Sequence, residues 1–113
     1  MTDNWKIDYD KRQYQLMADC LQLFETKKLS LGDLISRLKG LLEVIEITDI
    51  PWKEKVRNEW WKLEQVYADA IYKYEQKLVS SIEIVIQMPS NQTIIISAIQ
   101  NIRLLINEKM PID

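Results

Sequence analysis

Apolar residues recur at intervals of three and four along almost the whole chain, which is the period of an amphipathic helix rather than of a strand. The first such stripe is Tyr14, Met17, Leu21 and Phe24. Ile7 extends it toward the N-terminus, but Asp10 interrupts it and leaves the helix start open. Lys27 and Lys28 follow, positive charge that suits a helix C-terminus. Ser30 then precedes a clean stripe of Leu31, Leu34, Ile35, Leu38, Leu41, Leu42 and Ile45. With Asp33 three residues on, Ser30 is placed to cap this second helix, as in a capping box with a shorter acid. Gly40 lies inside it, where glycine costs roughly 1 kcal/mol against alanine. A close helix–helix approach would explain it, and so would plain tolerance.

Thr48-Asp49-Ile50-Pro51 breaks the chain, because proline disfavours the α region at Ile50 and suits the first position of a new helix. The third helix carries Trp52, Val56, Trp60, Leu63, Tyr67, Ile71, Tyr74 and Leu78 on one face. At about 100° per residue, Trp61, Ala68, Tyr72 and Val79 form a second stripe. An arc this wide predicts a helix covered on two sides, with Trp60 facing one neighbour and Trp61 another. The second neighbour is either a fourth helix or a different protein.

After Leu78 the pattern is ambiguous. Ile82, Val85 and Ile86 continue a helical stripe, and Ile95, Ala98, Ile99, Ile102 and Ile106 form another. Yet both runs are rich in β-branched residues and flank Met88-Pro89-Ser90-Asn91-Gln92, which read locally is a hairpin within residues 82–97. A lone hairpin on a helical core is marginal. The expected arrangement is two helices meeting at the Pro89 loop, with Ser90 or Asn91 capping the second. The fold class expected is therefore all-α, an antiparallel bundle of about four helices, with residues 1–113 forming a single domain.

Composition narrows the chemistry. Of 113 residues, 47% are hydrophobic, enough for one core without staples. The formal net charge of -2 disfavours a general nucleic-acid binder. Cys20 has no second cysteine to pair with, so a reducing compartment is expected and a buried inert thiol is its natural reading. The opening Met-Thr-Asp-Asn-Trp-Lys has acid where a secretory signal has base. No charge occurs from Ile84 to Ile102, but eight Gln, Asn, Ser and Pro residues make that stretch too polar for hydrocarbon. A cytoplasmic protein with no membrane partner is expected. There is no histidine, which removes the commonest general base, and two glycines are too few for a phosphate-cradling loop. No catalytic residues, metal or cofactor are expected.

Two features remain once a core is assigned. Glu43, Glu46 and Asp49 crowd the end of the second helix, and Glu54 follows, so residues 43–54 hold four acids against one base, Lys53. Acid near a helix C-terminus is unfavourable by roughly 0.3–1 kcal/mol per charge, so these residues, beside Trp52, read either as a solvated patch or as a docking surface for a basic partner. Glu64 falls between the two aromatic stripes. It either pairs with a base such as Arg57 or is presented to a partner within the Trp61–Tyr72 frame.

The stretch "LISRLKGLLEVIE", the acidic turn and "WKEKVRNEWWKLEQVYADAI" together resemble small all-α immunity proteins of contact-dependent growth inhibition and related bacterial toxin systems. The positions that carry the resemblance are Leu34, Leu38, Leu41 and Leu42, then Trp52, Glu59, Trp60, Trp61, Leu63, Glu64, Tyr67 and Ala68, roughly the middle third of the chain. The Ile-rich C-terminal segment departs from the polar, acidic loop expected before the last helix of such proteins. The resemblance implies a cytoplasmic monomer or weak dimer that binds and neutralises a cognate toxin, a C-terminal nuclease domain acting on transfer RNA, without touching nucleic acid itself. Its toxin-binding residues would be Glu43, Glu46, Asp49, Trp52, Glu54, Trp61, Glu64 and Tyr72. Two other readings stay open: a helical adaptor or regulator using the aromatic stripe, and an RNA-binding module using tryptophan stacking, against which the lack of a basic stripe argues.

Overall fold

The computed structural model describes residues 4–46 and 49–110. Ile47 and Thr48 of the expected chain break, and the first three residues used for the compartment, lie outside the described residues. The helices are α1 (Asn4–Glu25), α2 (Leu31–Glu43), α3 (Ile50–Glu75), α4 (Ile82–Ile86) and α5 (Pro89–Lys109). Among the described residues there is no strand, so the hairpin alternative is not what forms. Among the described residues four helices run from 13 to 26 residues and one has five.

In cross-section α1 packs on α2 and α5, and α3 packs on the same two, so α1 and α3 lie diagonally opposite. The short α4 packs on α3 and α5. The core runs through Met17, Leu21, Leu34, Leu38, Leu63, Ile95, Ile102 and Ile106, each almost wholly buried.

The ends of these helices follow from local chemistry. The Ser30 hydroxyl accepts the Asp33 N–H at 3.1 Å, as expected of a cap. Asp49 caps α3 by accepting the Trp52 N–H at 3.1 Å, so the helix starts one residue before Pro51 and includes Ile50. The C-termini of α1 and α3 are alike. The Lys28 N–H bonds the Leu23 carbonyl and the Lys27 N–H that of Phe24, at 2.8 and 3.0 Å. The Leu78 N–H bonds Lys73 and the Lys77 N–H bonds Tyr74, at 2.9 and 3.0 Å. Both are Schellman motifs, with lysine at φ 64° and 61° where glycine is usual.

At the Pro89 junction neither Ser90 nor Asn91 caps α5. Pro89 opens the helix behind Met88, which makes no side-chain cap bond. Asn91 and Gln92 instead turn their amides back onto the Val85 and Ile86 carbonyls, both at 2.8 Å. They close the C-terminus of α4, whose start is capped by Ser81. Those two amides supply, at the end of α4, partners for backbone carbonyls that a hairpin would have paired across strands.

Gly40 is not at a helix–helix approach: a Cβ there would meet nothing within 4 Å. Gly32 is the close approach, with the Tyr67 hydroxyl 2.7 Å from where its Cβ would stand.

Candidate protein-docking surface

Helix α3 buries Trp52, Val56, Glu59, Leu63, Val66 and Ala70. Its core face is therefore rotated toward Glu59 and Val66 from the Trp60–Tyr67 line that the apolar pattern suggested. On that rotated face lies Glu59, a charged residue that spacing rules place outside. Its side chain is buried against α5, where Asn101 Nδ2 donates to it at 2.6 Å, and it is paired with Lys62 at 2.8 Å. Tyr74 and Leu78, expected on the core face, are exposed.

The rotation leaves Trp60 at the seam with α2. It is half-buried, and its indole N–H donates to the Ile35 carbonyl at 2.8 Å. Trp60 thus faces a neighbour as expected, but Trp61 does not: it is 54% exposed, and of the second stripe Ala68 and Tyr72 are exposed as well, while Val79 is half-buried against the core. The Trp61 ring rests on that of Trp60, centroids 5.9 Å apart and tilted by 35°. A cleft of about 240 Å³ opens beside the pair, lined by Lys39, Leu42, Glu43, Arg57, Asn58 and the two tryptophans. Trp61 is therefore exposed yet held, since its inner face sits on a ring that is itself hydrogen-bonded to α2.

The acidic residues have different surroundings. Glu43, the last residue of α2, is exposed and lines the cleft with Trp61. Glu54 is exposed on α3 about two turns before Trp61, and Glu64 is half-buried about one turn after it. Glu64 makes no ion pair with Arg57. Tyr72, 59% exposed, continues the outer face. Glu46 lies beyond α2, with its side chain exposed and its backbone N–H bonded to Asp10 at 2.7 Å.

Asp49 and Trp52 depart most from expectation. Trp52 is 4% exposed, so it cannot meet a partner in the folded protein. Its indole N–H donates to the Leu105 carbonyl at 2.8 Å, its ring meets Tyr14 edge-on at 5.4 Å, and Lys109 Nζ lies 5.5 Å from its centroid. Asp49 caps α3 and pairs with Lys109. The Lys109 hydrogen bond, helped by the Trp52 N–H, holds the Asp49 carboxyl below the usual aspartate value. Asp49 thus has a cap and an ion pair within the fold, and the dipole penalty at the end of α2 applies to Glu43 alone. Lys53 also donates to the Ile45 carbonyl at 3.2 Å, bringing a cation to that helix end.

Asp10 is the residue the sequence hid in plain view. Its interruption of an apolar stripe marks a carboxylate that is 1% exposed and anchors α1 to the α2–α3 connection. Burial, with Asp10 and Asp49 nearby, pushes the Tyr14 phenol up and keeps it neutral. Cys20 is buried, and burial likewise pushes its thiol up. Lys39 and Arg57, which bring positive charge to the cleft, are exposed residues that periodicity does not single out.

Among the described residues no group of His, Cys, Asp and Glu could hold a metal ion, and no helix is long and apolar enough to cross a membrane. What the geometry defines is an all-α bundle with a supported tryptophan exposed at a helix–helix cleft. The chain matches no protein-family model, no curated protein and no solved structure.

Proposed function

We propose that this chain is an immunity protein, which binds a cytosolic toxin domain through the α2–α3 cleft and the outer face of α3 and so silences it. The observation that carries the docking reading is Trp61, a large aromatic left 54% exposed and braced by Trp60. An anchor already held in place loses little freedom on binding, and tryptophan, tyrosine and arginine dominate interface energetics. Trp61, Tyr72 and Arg57 supply all three types on one side of α3. That the partner is a toxin rests on the sequence resemblance. Glu43, Glu54 and Glu64 near the anchor suit a basic nuclease, whose phosphate-binding groove carries lysine and arginine. The protein has no catalytic role in this reading and needs no contact with RNA.

The test is co-expression with the product of the neighbouring gene in the native operon. Growth should be arrested by that product alone and restored by this chain. Trp61→Ala should abolish rescue while leaving the thermal midpoint within about 2 °C, since a surface side chain adds little to stability. If the neighbouring product is harmless, the toxin assignment fails. If Trp61→Ala rescues as well as wild type, the docking face is wrong. The adaptor reading uses the same face, and capture of a non-toxic protein that Trp61→Ala releases would favour it.

A further inference from the structure

Helix α1 carries a second regular pattern on the side away from its core stripe. Trp5, Tyr9, Arg12, Leu16, Asp19 and Leu23 follow one another at alternating steps of four and three. This spacing keeps one seam of a helix against another helix. Within the bundle the seam is not closed: Trp5 is 58% and Leu16 47% exposed, Arg12 and Asp19 are exposed, and Tyr9 and Leu23 are half-buried. Arg12 lies over the Tyr9 ring at 5.9 Å, and Asp19 accepts from Gln15 at 2.9 Å. Neither forms an ion pair among the described residues.

We propose that this face binds a second copy of the chain, α1 against α1, antiparallel about a two-fold axis near Leu16. Charge selects both the occupant and the direction. Arg12 and Asp19 are two turns apart, about 10 Å along the axis, with Leu16 between them. Turning a second α1 end for end brings each Arg12 toward Asp19 of the other copy, twice over, as a two-fold interface requires. A parallel pair would oppose arginine to arginine and aspartate to aspartate. The same turn moves the two ends of the seam, exposed Trp5 and half-buried Leu23, toward each other across the copies. The seam from Trp5 to Leu23 is about 27 Å long, one helix pair, and covers less than the roughly 1,600 Å² of a standard stable interface. The dimer is therefore weak, forming on the order of tens of micromolar or above. Because α1 lies diagonally opposite α3, the dimer leaves the Trp61 face open and stands independently of the toxin reading.

Sedimentation equilibrium across a concentration series tests this, with circular dichroism confirming that each variant is folded. Wild type should self-associate reversibly. Arg12→Glu and Asp19→Lys each place like charges together at both symmetric contacts, so each alone should weaken association roughly ten-fold or more. An equimolar mixture of the two variants should associate about as well as wild type, because each then supplies the charge the other needs. The double variant R12E/D19K should self-associate likewise. A wild type that stays monomeric to about 1 mM overturns the proposal and leaves the face to a different protein. Variants that associate like wild type, or a mixture that does not regain association, overturn the antiparallel pairing.

Discussion

Removing the Asn101 amide should destabilise the fold more than neutralising the carboxylate it serves. Glu59 is 8% exposed, and its Oε1 accepts from Asn101 at 2.6 Å and from Lys62 at 3.0 Å. The Lys62 side chain is half-exposed, so solvent screens that pair and it contributes no more than about 1 kcal/mol. The Asn101 bond is short and charge-assisted, in the class that contributes about 1.5–3 kcal/mol. Asn101→Ala leaves a buried carboxylate under-satisfied and should cost about 2 kcal/mol, or roughly 8 °C in midpoint for a chain this size. Glu59→Gln keeps an acceptor for Asn101 and removes the charge that burial opposes, so its effect should stay within about 0.5 kcal/mol. In a Glu59→Met background, Asn101→Ala should cost almost nothing, because no buried carboxylate remains. Urea unfolding followed by circular dichroism gives the three values and their coupling. Equal cost of Asn101→Ala in both backgrounds would refute the reasoning and make Asn101 a packing residue only.

Three further outcomes are expected. Lys27→Gly and Lys77→Gly should each stabilise by about 0.5–1 kcal/mol, since a left-handed non-glycine residue is strained by roughly that much or more; a higher urea midpoint at unchanged slope checks this. Gly40→Ala should stabilise by about 0.5–1 kcal/mol in open space, whereas Gly32→Ala should not, because Tyr67 must move; thermal midpoints of the pair decide it. Asp49 has a folded pKa depressed by Lys109, so its contribution is fully present above the unfolded value near about 3.9 and is lost as pH falls from there toward the folded value. Asp49→Asn should flatten the stability profile over that window, and a profile of unchanged shape would show that the pair contributes nothing.

Most of the fold was legible because periodicity and punctuation agreed. Ser30 capped where a cap was expected, and the stripes of α1, α2 and α5 reached the core. Reading failed where a polar side chain occupied an apolar register. Glu59 lies on the true buried face of α3, part of a turn from the apolar line, and Asp10 blurred the start of α1 while serving as its anchor. Neither is visible to a rule that counts apolar residues, since both depend on partners distant in sequence: Asn101 for Glu59 and the Glu46 backbone for Asp10. The docking surface was half legible. Adjacent tryptophans on one helix cannot share a face, which singled out Trp61. That Asp49 is matched by Lys109, sixty residues away, was beyond any local reading.

That last pairing divides the acidic end of the bundle into charges with different employment, and reversal should separate them. Glu43 ends α2 with no ion pair among the described residues, where the helix dipole disfavours it by roughly 0.3–1 kcal/mol. Glu43→Lys removes that penalty, so the midpoint should hold or rise by a few degrees, although Lys53 already bonds the Ile45 carbonyl nearby and limits the gain. Asp49→Lys removes the cap of α3 and sets a cation beside Lys109, so the same reversal six residues on should lower the midpoint clearly. If Glu43 is kept for a basic partner at the Trp61 cleft, Glu43→Lys should also weaken that partner, mainly by slowing association, and the difference from wild type should shrink at high salt as screening removes the attraction. Midpoints of both variants, and association rates at two salt concentrations for Glu43→Lys, test the division. Equal destabilisation by the two reversals would mean that Glu43 also serves the fold. An unchanged association rate for Glu43→Lys would leave the cleft to bind through Trp61 and Arg57 without help from charge at the end of α2.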